Sequence, residues 1–492
     1  MIVFFNPRST TPGKQPLPLS ILQLAAAMGE EAWALVDGNV TADPVTTIVE
    51  RCDGVGSAEP ILLAVTVMPG PQLSQAIETC REVRRVRPDV RIVWGGYFPT
   101  QHSGTVLRSD YVDFAVRSQG ESALRRLMRA LRGEEPLAGV PSLSWRRHDG
   151  SIVHNPIGPP TQLDDVPDLP YERVDMSRYI HATCLGRRTV AHHSSFGCPF
   201  ACSFCAVVAM AQRRWLAQSP ARVARVVARM VKDYRVDAVQ MHDMDFFISE
   251  ARVAEIAERL MPFQIKWWAL GRIDTLMQYS DRTFARMAAS GLAMVFSGAE
   301  TGSAEALRAM NKGGQASPSL TIELAKRMRA FGIVPEFSFV LGTPPDPVAD
   351  LERTFEFIRR VKATNPDTEI ILYTYTPVPM DAALYREAAR LGFAFPETLD
   401  EWADDTWRRN ALRRGVGVPW LDGTVTQRIR DFERVLNAFY PTSTDPRLTG
   451  VRRLLLRTLG SWRYGLRLYG APYELRLLHR LLRYQRPETT GF

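Results

Sequence analysis

Over the first 135 or so residues, short apolar runs alternate with amphipathic segments. The runs are MIVFFN, AWALVD, ILLAVTVM, VRIVWGG and YVDFAVR, each rich in β-branched or aromatic residues. Between them LSILQLAAAM, QLSQAIETCREVRRV and ESALRRLMRAL carry apolar residues at helical spacing. Strand–helix alternation at this pitch predicts a parallel sheet covered by helices on both faces, an α/β doubly wound domain. Such sheets bind ligands beyond the carboxyl ends of their strands. Those ends read NPRSTTPGKQP, VMPGPQL, WGGYFPTQ and RSQGES, all rich in Gly, Pro, Ser and Thr, and form a candidate cofactor rim.

Residues 136–185 hold SWRRHDGSIVHN, which reads as a hairpin with an Asp-Gly turn, and then the proline-rich, acidic PIGPPTQLDDVPDLP, which reads as a linker. From 186 to about 400 the alternation resumes with longer helices. Strands are expected at RTVAHHSS, VDAVQMHD, IKWWALG, LAMVFSGAE, VPEFSFVLG and EIILYTYTP. Six such repeats predict a partial TIM-type (β/α)6 barrel, whose chemistry would sit on the loops after the strands. Residues 401–492 turn helical and aromatic-rich, and end in arginines.

Composition narrows this picture. At 492 residues, 45% hydrophobic and 23% charged, the chain reads as a multidomain globular protein. No apolar run reaches the ~18–20 residues a spanning helix needs. MIVFFNPRS turns polar after five residues, so it reads as a first strand rather than a secretory signal. The expected location is cytoplasmic. From Arg447 to Arg486 there are ten arginines and one acid, Glu474, a local net of +9 against +8 for the whole chain. The remainder is therefore near −1, which argues against a nucleic-acid surface spread over the body. The tail has Leu, Tyr and Arg at roughly helical spacing. It reads either as an amphipathic helix packed on the barrel or as a peripheral membrane contact, with an attracted anionic substrate as a third option.

Six cysteines are too few for a disulfide scaffold, yet three fall within eight positions: Cys198, Cys202 and Cys205 in SSFGCPFACSFCAVV. Structural zinc wants four closed ligands. His192 and His193 lie close by, but on a strand whose alternation turns at least one of them away. An electron-carrying cluster also takes four cysteines. A [4Fe–4S] cluster with three protein ligands leaves one iron open to a substrate or cosubstrate.

Cys-x3-Cys-x-aromatic-Cys, with Gly197 and Pro199 beside the first cysteine, resembles the signature of radical S-adenosylmethionine (SAM) enzymes. The resemblance implies a [4Fe–4S] cluster on Cys198, Cys202 and Cys205, with SAM on the fourth iron and cleaved to a 5′-deoxyadenosyl radical. It implies Phe204 against the adenine, and Gly298 and Glu300 of GAETGS together with Arg272 of LGRID as SAM contacts. Asp243 and Asp245 stand where relatives carry an acidic pair; for these, for Arg272 and for Glu300 a surface role is the competing reading. YTPVPMD departs from the family's sixth-strand segment at Met380 and Asp381, and no ligand is assigned there.

Upstream, the layout resembles the cobalamin-binding branch of that family, which includes class B methyltransferases and the anaerobic magnesium-protoporphyrin ester cyclase. The first domain would then be a Rossmann-like cobalamin domain. WGGYFPT implies corrin-facing Gly95, Gly96 and Thr100; VTVMPGPQ implies Met68 and Gly70; RSQGES implies Gly120 and Glu121. The competing reading is that these glycines only shape turns. NPRSTTPGKQPLPL lacks the histidine of other cobalamin proteins, so cobalamin would be base-off with no histidine ligand.

The resemblance implies an enzyme that methylates an unactivated carbon of a small molecule: a natural product, lipid or tetrapyrrole. Flavodoxin or ferredoxin would supply electrons. The alternatives are oxidative cyclisation or hydroxylation of a tetrapyrrole-like substrate and, in another class, a non-catalytic iron–sulfur sensor or carrier.

Overall fold

A computed structural model describes residues 1–10, 13–53, 59–312, 316–380, 382–410, 418–445 and 447–482. Asp381, Arg483 and Arg486 lie outside them. The first sheet has seven strands in the order β2-β1-β3-β4-β5-β6-β7. They are β1 (Ile2–Asn6), β2 (Trp33–Asp37), β3 (Leu62–Thr66), β4 (Arg91–Gly95), β5 (Phe114–Val116), β6 (Leu143–Arg146) and β7 (Ile152–His154). β1 to β5 pair in parallel, with Ile2 opposite both Trp33 and Leu62. Alternation then sends Val3 and Phe5 into the core on one face and Ile2 and Phe4 into the core on the other. The hairpin predicted after residue 135 pairs antiparallel with β5 and closes that edge of the sheet, so the sheet runs on into the connecting segment.

The second sheet holds six parallel strands in chain order: β8 (Thr189–His192), β11 (Ala238–Met241), β12 (Lys266–Leu270), β13 (Leu292–Glu300), β14 (Val334–Leu341) and β15 (Glu369–Thr374). A small antiparallel ribbon, β9 (Ser195–Gly197) with β10 (Trp215–Ala217), flanks the cysteine loop. Four helices start in the same way, with a capping side chain followed by proline: Asp43-Pro44, Ser219-Pro220, Ser317-Pro318 and Asp346-Pro347. The cap accepts a first-turn N–H, and proline fixes φ where no N–H is needed.

Outward residues of the barrel strands, such as Val239, Trp267, Val295 and Phe337, pack under the surrounding helices. Inward residues, such as Trp268, Met294 and Phe296, meet inside the barrel. The C-terminal region splits between the two halves. Trp402 is core: it packs edge-on to Phe98 and near-parallel to Phe395, and joins the first domain's interior. Helix Gly423–Phe439 lies on the barrel, with Phe432 stacked on Phe355 at 3.7 Å between centroids.

Candidate functional site

The cysteine loop leaves β9 and is held from several sides. The Ser203 N–H donates to Met310 O at 2.9 Å, and Asn311 Nδ2 donates to Ala201 O at 2.8 Å. From below, Asp243 accepts the Ser194 N–H at 3.0 Å, Ser194 Oγ at 2.8 Å and the Ser195 hydroxyl. Arg252 donates to Ser194 O at 3.0 Å. Asp243 and Asp245 are each about 1% exposed, so the surface reading fails for both. Asp243 anchors the approach to the loop, and Asp245 Oδ2 lies 3.9 Å from Cys198 Sγ.

Arg272 is also buried, which removes the surface reading for it. Its guanidinium donates to Cys202 Sγ at 3.2 Å and grips Asp274 through two bonds of 3.0 and 2.7 Å. The same group lies 3.8 Å from the Phe200 ring centroid and donates to Lys312 O. Burial pushes the Cys198 thiol up to about 12, with the charge of Asp245 adding to it, and raises Cys205 as well. Metal binding would release those protons. Among the described residues no three His, Cys, Asp or Glu side chains gather about one point, as a single ion requires. A [4Fe–4S] cluster would take each cysteine on a different iron.

Gly298 and Glu300 sit on a β-bulge where the register of β13 against β14 shifts. Glu300 has φ +62°, a left-handed conformation that turns its side chain inward. The buried carboxylate pairs with buried Lys312. A Cβ at Gly298 would crowd both groups, so a side chain there would have to push the pair aside. Lys312 Nζ lies 5.8 Å from the Phe204 ring centroid. Lys312 is the residue that sequence reading missed. It follows a short helix in a stretch with no motif, and only the fold brings it to Glu300. His192 turns outward to Gln218, while His193 faces His242.

The first domain presents a different surface. Met68 is 53% exposed at the end of β3, while its N–H donates to Gln72 Oε1 at 3.0 Å. A Cβ at Gly95 would meet nothing within 4 Å, so bare backbone there faces open space. Gly96 has φ +95° and lies tight against Thr66, and Gly70 has φ +96° just before Pro71 opens a helix. Thr100 is engaged internally: it donates to Gly96 O at 2.6 Å and accepts the Ser118 N–H at 3.0 Å. Gly120 abuts Leu24, and Glu121 is buried, with its carboxyl raised by that burial. Of these residues Met68 is exposed and Gly95 faces open space, whereas Thr100, Gly120 and Glu121 are engaged within the protein. His102 is packed among Phe98, Phe395 and Trp402. The two sites adjoin: Ser118 Oγ, on the rim, donates to Met210 O, just beyond the cysteine loop, at 2.6 Å.

Residues 9–128 match the B12 binding domain model and residues 193–358 the radical SAM superfamily model. An uncharacterized methyltransferase of Pyrococcus horikoshii is 25% identical over 70% of this chain and 73% of its own length. The anaerobic magnesium-protoporphyrin IX monomethyl ester cyclase of Synechocystis is 26% identical over 56% of this chain. The match spans only 54% of that cyclase, about half its length. The radical SAM methyltransferase TsrM of Kitasatospora setae superposes with TM-score 0.64 at 16% identity, over 98% of both chains. The cobalamin-dependent SAM radical enzyme OxsB superposes with TM-score 0.68 at 17% identity, over 98% of this chain and 75% of its own. The order of domains, the three-cysteine loop and the adjoining rim all agree with these matches: the chain carries a radical SAM superfamily domain behind an N-terminal B12-binding domain.

Proposed function

We propose that this chain is a cobalamin-dependent radical SAM methyltransferase that methylates an unactivated carbon of a small molecule. The observation that carries the reading is the adjacency of the two sites, tied by Ser118 to Met210. Cys198, Cys202 and Cys205 would hold a [4Fe–4S] cluster; Glu300, Arg272 and Phe204 would position SAM beside it; the backbone at Gly95 and Gly96 and the side chain of Met68 would face cobalamin. When bound, these groups supply the reductive cleavage of SAM and a transferable methyl group. The protein's part is to orient them and to keep water from the barrel interior, which Trp268, Met294 and Phe296 line with apolar surface. Cobalamin would be base-off and without a histidine ligand, a reading supported by the confinement of His102 among aromatic rings. An external one-electron donor such as flavodoxin or ferredoxin would reduce the cluster.

Anaerobic purification followed by iron, sulfide and cobalt analysis tests the cofactor set. Turnover then separates the chemistries. Methyl transfer predicts S-adenosylhomocysteine together with 5′-deoxyadenosine. The cyclase names among the relatives favour a second reading, oxidative cyclisation, which predicts 5′-deoxyadenosine alone. Absence of SAM cleavage by a reduced, reconstituted cluster would point to a sensor or carrier.

A further inference from the structure

The described residues expose twelve large apolar side chains, and nine of them lie between Val451 and Leu481. Two helices carry most of these, Gly450–Leu466 and Tyr473–Leu482. In the first, Leu456, Gly460 and Tyr464 form the buried face, with Gly460 tight against Ala438. Val451, Leu454, Leu455, Trp462 and Leu466 are exposed and, at 3.6 residues per turn, lie on the opposite side. The second helix repeats the pattern, with Leu475 and Leu478 inward and Tyr473, Leu477 and Leu481 outward. An ordinary surface helix has one apolar stripe. These have two, and packing onto the protein uses only one of them.

Charge identifies what the outer stripe meets. Arg452 and Arg457 flank it on the first helix, and Arg480 adjoins the outer residues of the second; none of the three makes an ion pair among the described residues. The acid within this region, Glu474, is neutralised by Arg463. A second copy would bring a like-charged surface against this one, which costs rather than gains free energy. Apolar side chains at the centre with arginines at the flanks match the boundary of an anionic bilayer, where the apolar stripe enters and the guanidinium groups stay among the headgroups. No helix among the described residues is long and apolar enough to cross a membrane. We infer that the two C-terminal helices form an in-plane docking surface for anionic lipid bilayers.

The sequence left open whether the tail packs on the protein or meets a membrane. The opposed stripes let it do both, and the inference stands whatever the chemistry of the barrel.

The test is co-sedimentation of the full chain with phosphatidylcholine vesicles, with and without 30 mol% phosphatidylglycerol, across a salt series (~30 mol% being a strongly anionic surface). The expected result is binding to the anionic vesicles alone, weakening as salt rises. Leu454→Ser with Leu477→Ser should abolish it, and each of Arg452→Gln, Arg457→Gln and Arg480→Gln should weaken it about fivefold. All five positions are exposed, so circular dichroism and the melting temperature should not move. Failure to sediment with either vesicle overturns the inference. So does self-association in light scattering that the leucine variant abolishes while vesicles bind nothing.

Discussion

The cysteine loop and the rim of the first domain are the two candidate cofactor sites, and they are built in opposite ways. The loop is made of side chains that do something: three sulfurs, an arginine on one of them, and a buried Glu300–Lys312 pair beside them. The rim is made largely of side chains that are missing: Gly95 with empty space where its Cβ would stand, Gly96 and Gly70 at positive φ, and one exposed methionine. A cluster needs covalent ligands at a few points, whereas a broad macrocycle needs an unobstructed wall. One site should therefore fail by losing an atom and the other by gaining one.

The largest effect is expected on the loop. Cys202→Ala removes a ligand and should abolish iron and sulfide incorporation and all SAM cleavage, while cobalt content stays at the wild-type level. Iron and cobalt assays on one anaerobic preparation check both halves. If cobalt fell with iron, the two sites would be coupled more tightly than their separate construction implies. Next comes the rim. Gly95→Leu places a side chain into open space, so the fold should tolerate it, but cobalamin retention should drop about tenfold or more, a cost of about 1.4 kcal/mol per decade. Iron content should not change. Retained cobalt would show that cobalamin does not lie against Gly95.

The same contrast explains what the sequence revealed. Both sheets were legible, because strands buried on both faces, such as MIVFFN, read as short apolar runs between helical segments. The cysteines were legible because ligand chemistry restricts residue type and spacing together. The rim was only half legible: Gly120 looks like Gly95 in the sequence, but one abuts Leu24 and the other faces open space. Nothing local distinguishes a glycine that makes room for a neighbour from one that makes room for a ligand. Asp243 was ambiguous for a related reason, since its burial depends on Ser194 and Ser195, some fifty residues earlier in the chain. Lys312 was invisible, because a lone lysine after a short helix has no pattern until β13 turns Glu300 toward it. The tail's second apolar stripe was hidden as well, because helical spacing alone does not say which leucines the body already covers.

The last test asks whether Glu300 and Lys312 belong to the SAM site or only to the fold. Both side chains are buried, at 5% and 8% exposure. Lys312→Met alone strands a carboxylate away from water. Breaking a buried pair in this way costs ~3–5 kcal/mol, read as a fall in melting temperature. Adding Glu300→Gln removes the stranded charge and should restore most of that stability, because a neutral pair of similar volume avoids the desolvation penalty. SAM affinity is the measurement that discriminates. If the pair only staples the bulge, the double variant recovers SAM binding along with its melting temperature. If the ammonium and carboxylate contact SAM, stability returns and binding does not. The second outcome is expected: Lys312 also stands within 6 Å of the Phe204 ring and its carbonyl accepts from Arg272, which places it between the aromatic residue and the cation assigned to SAM.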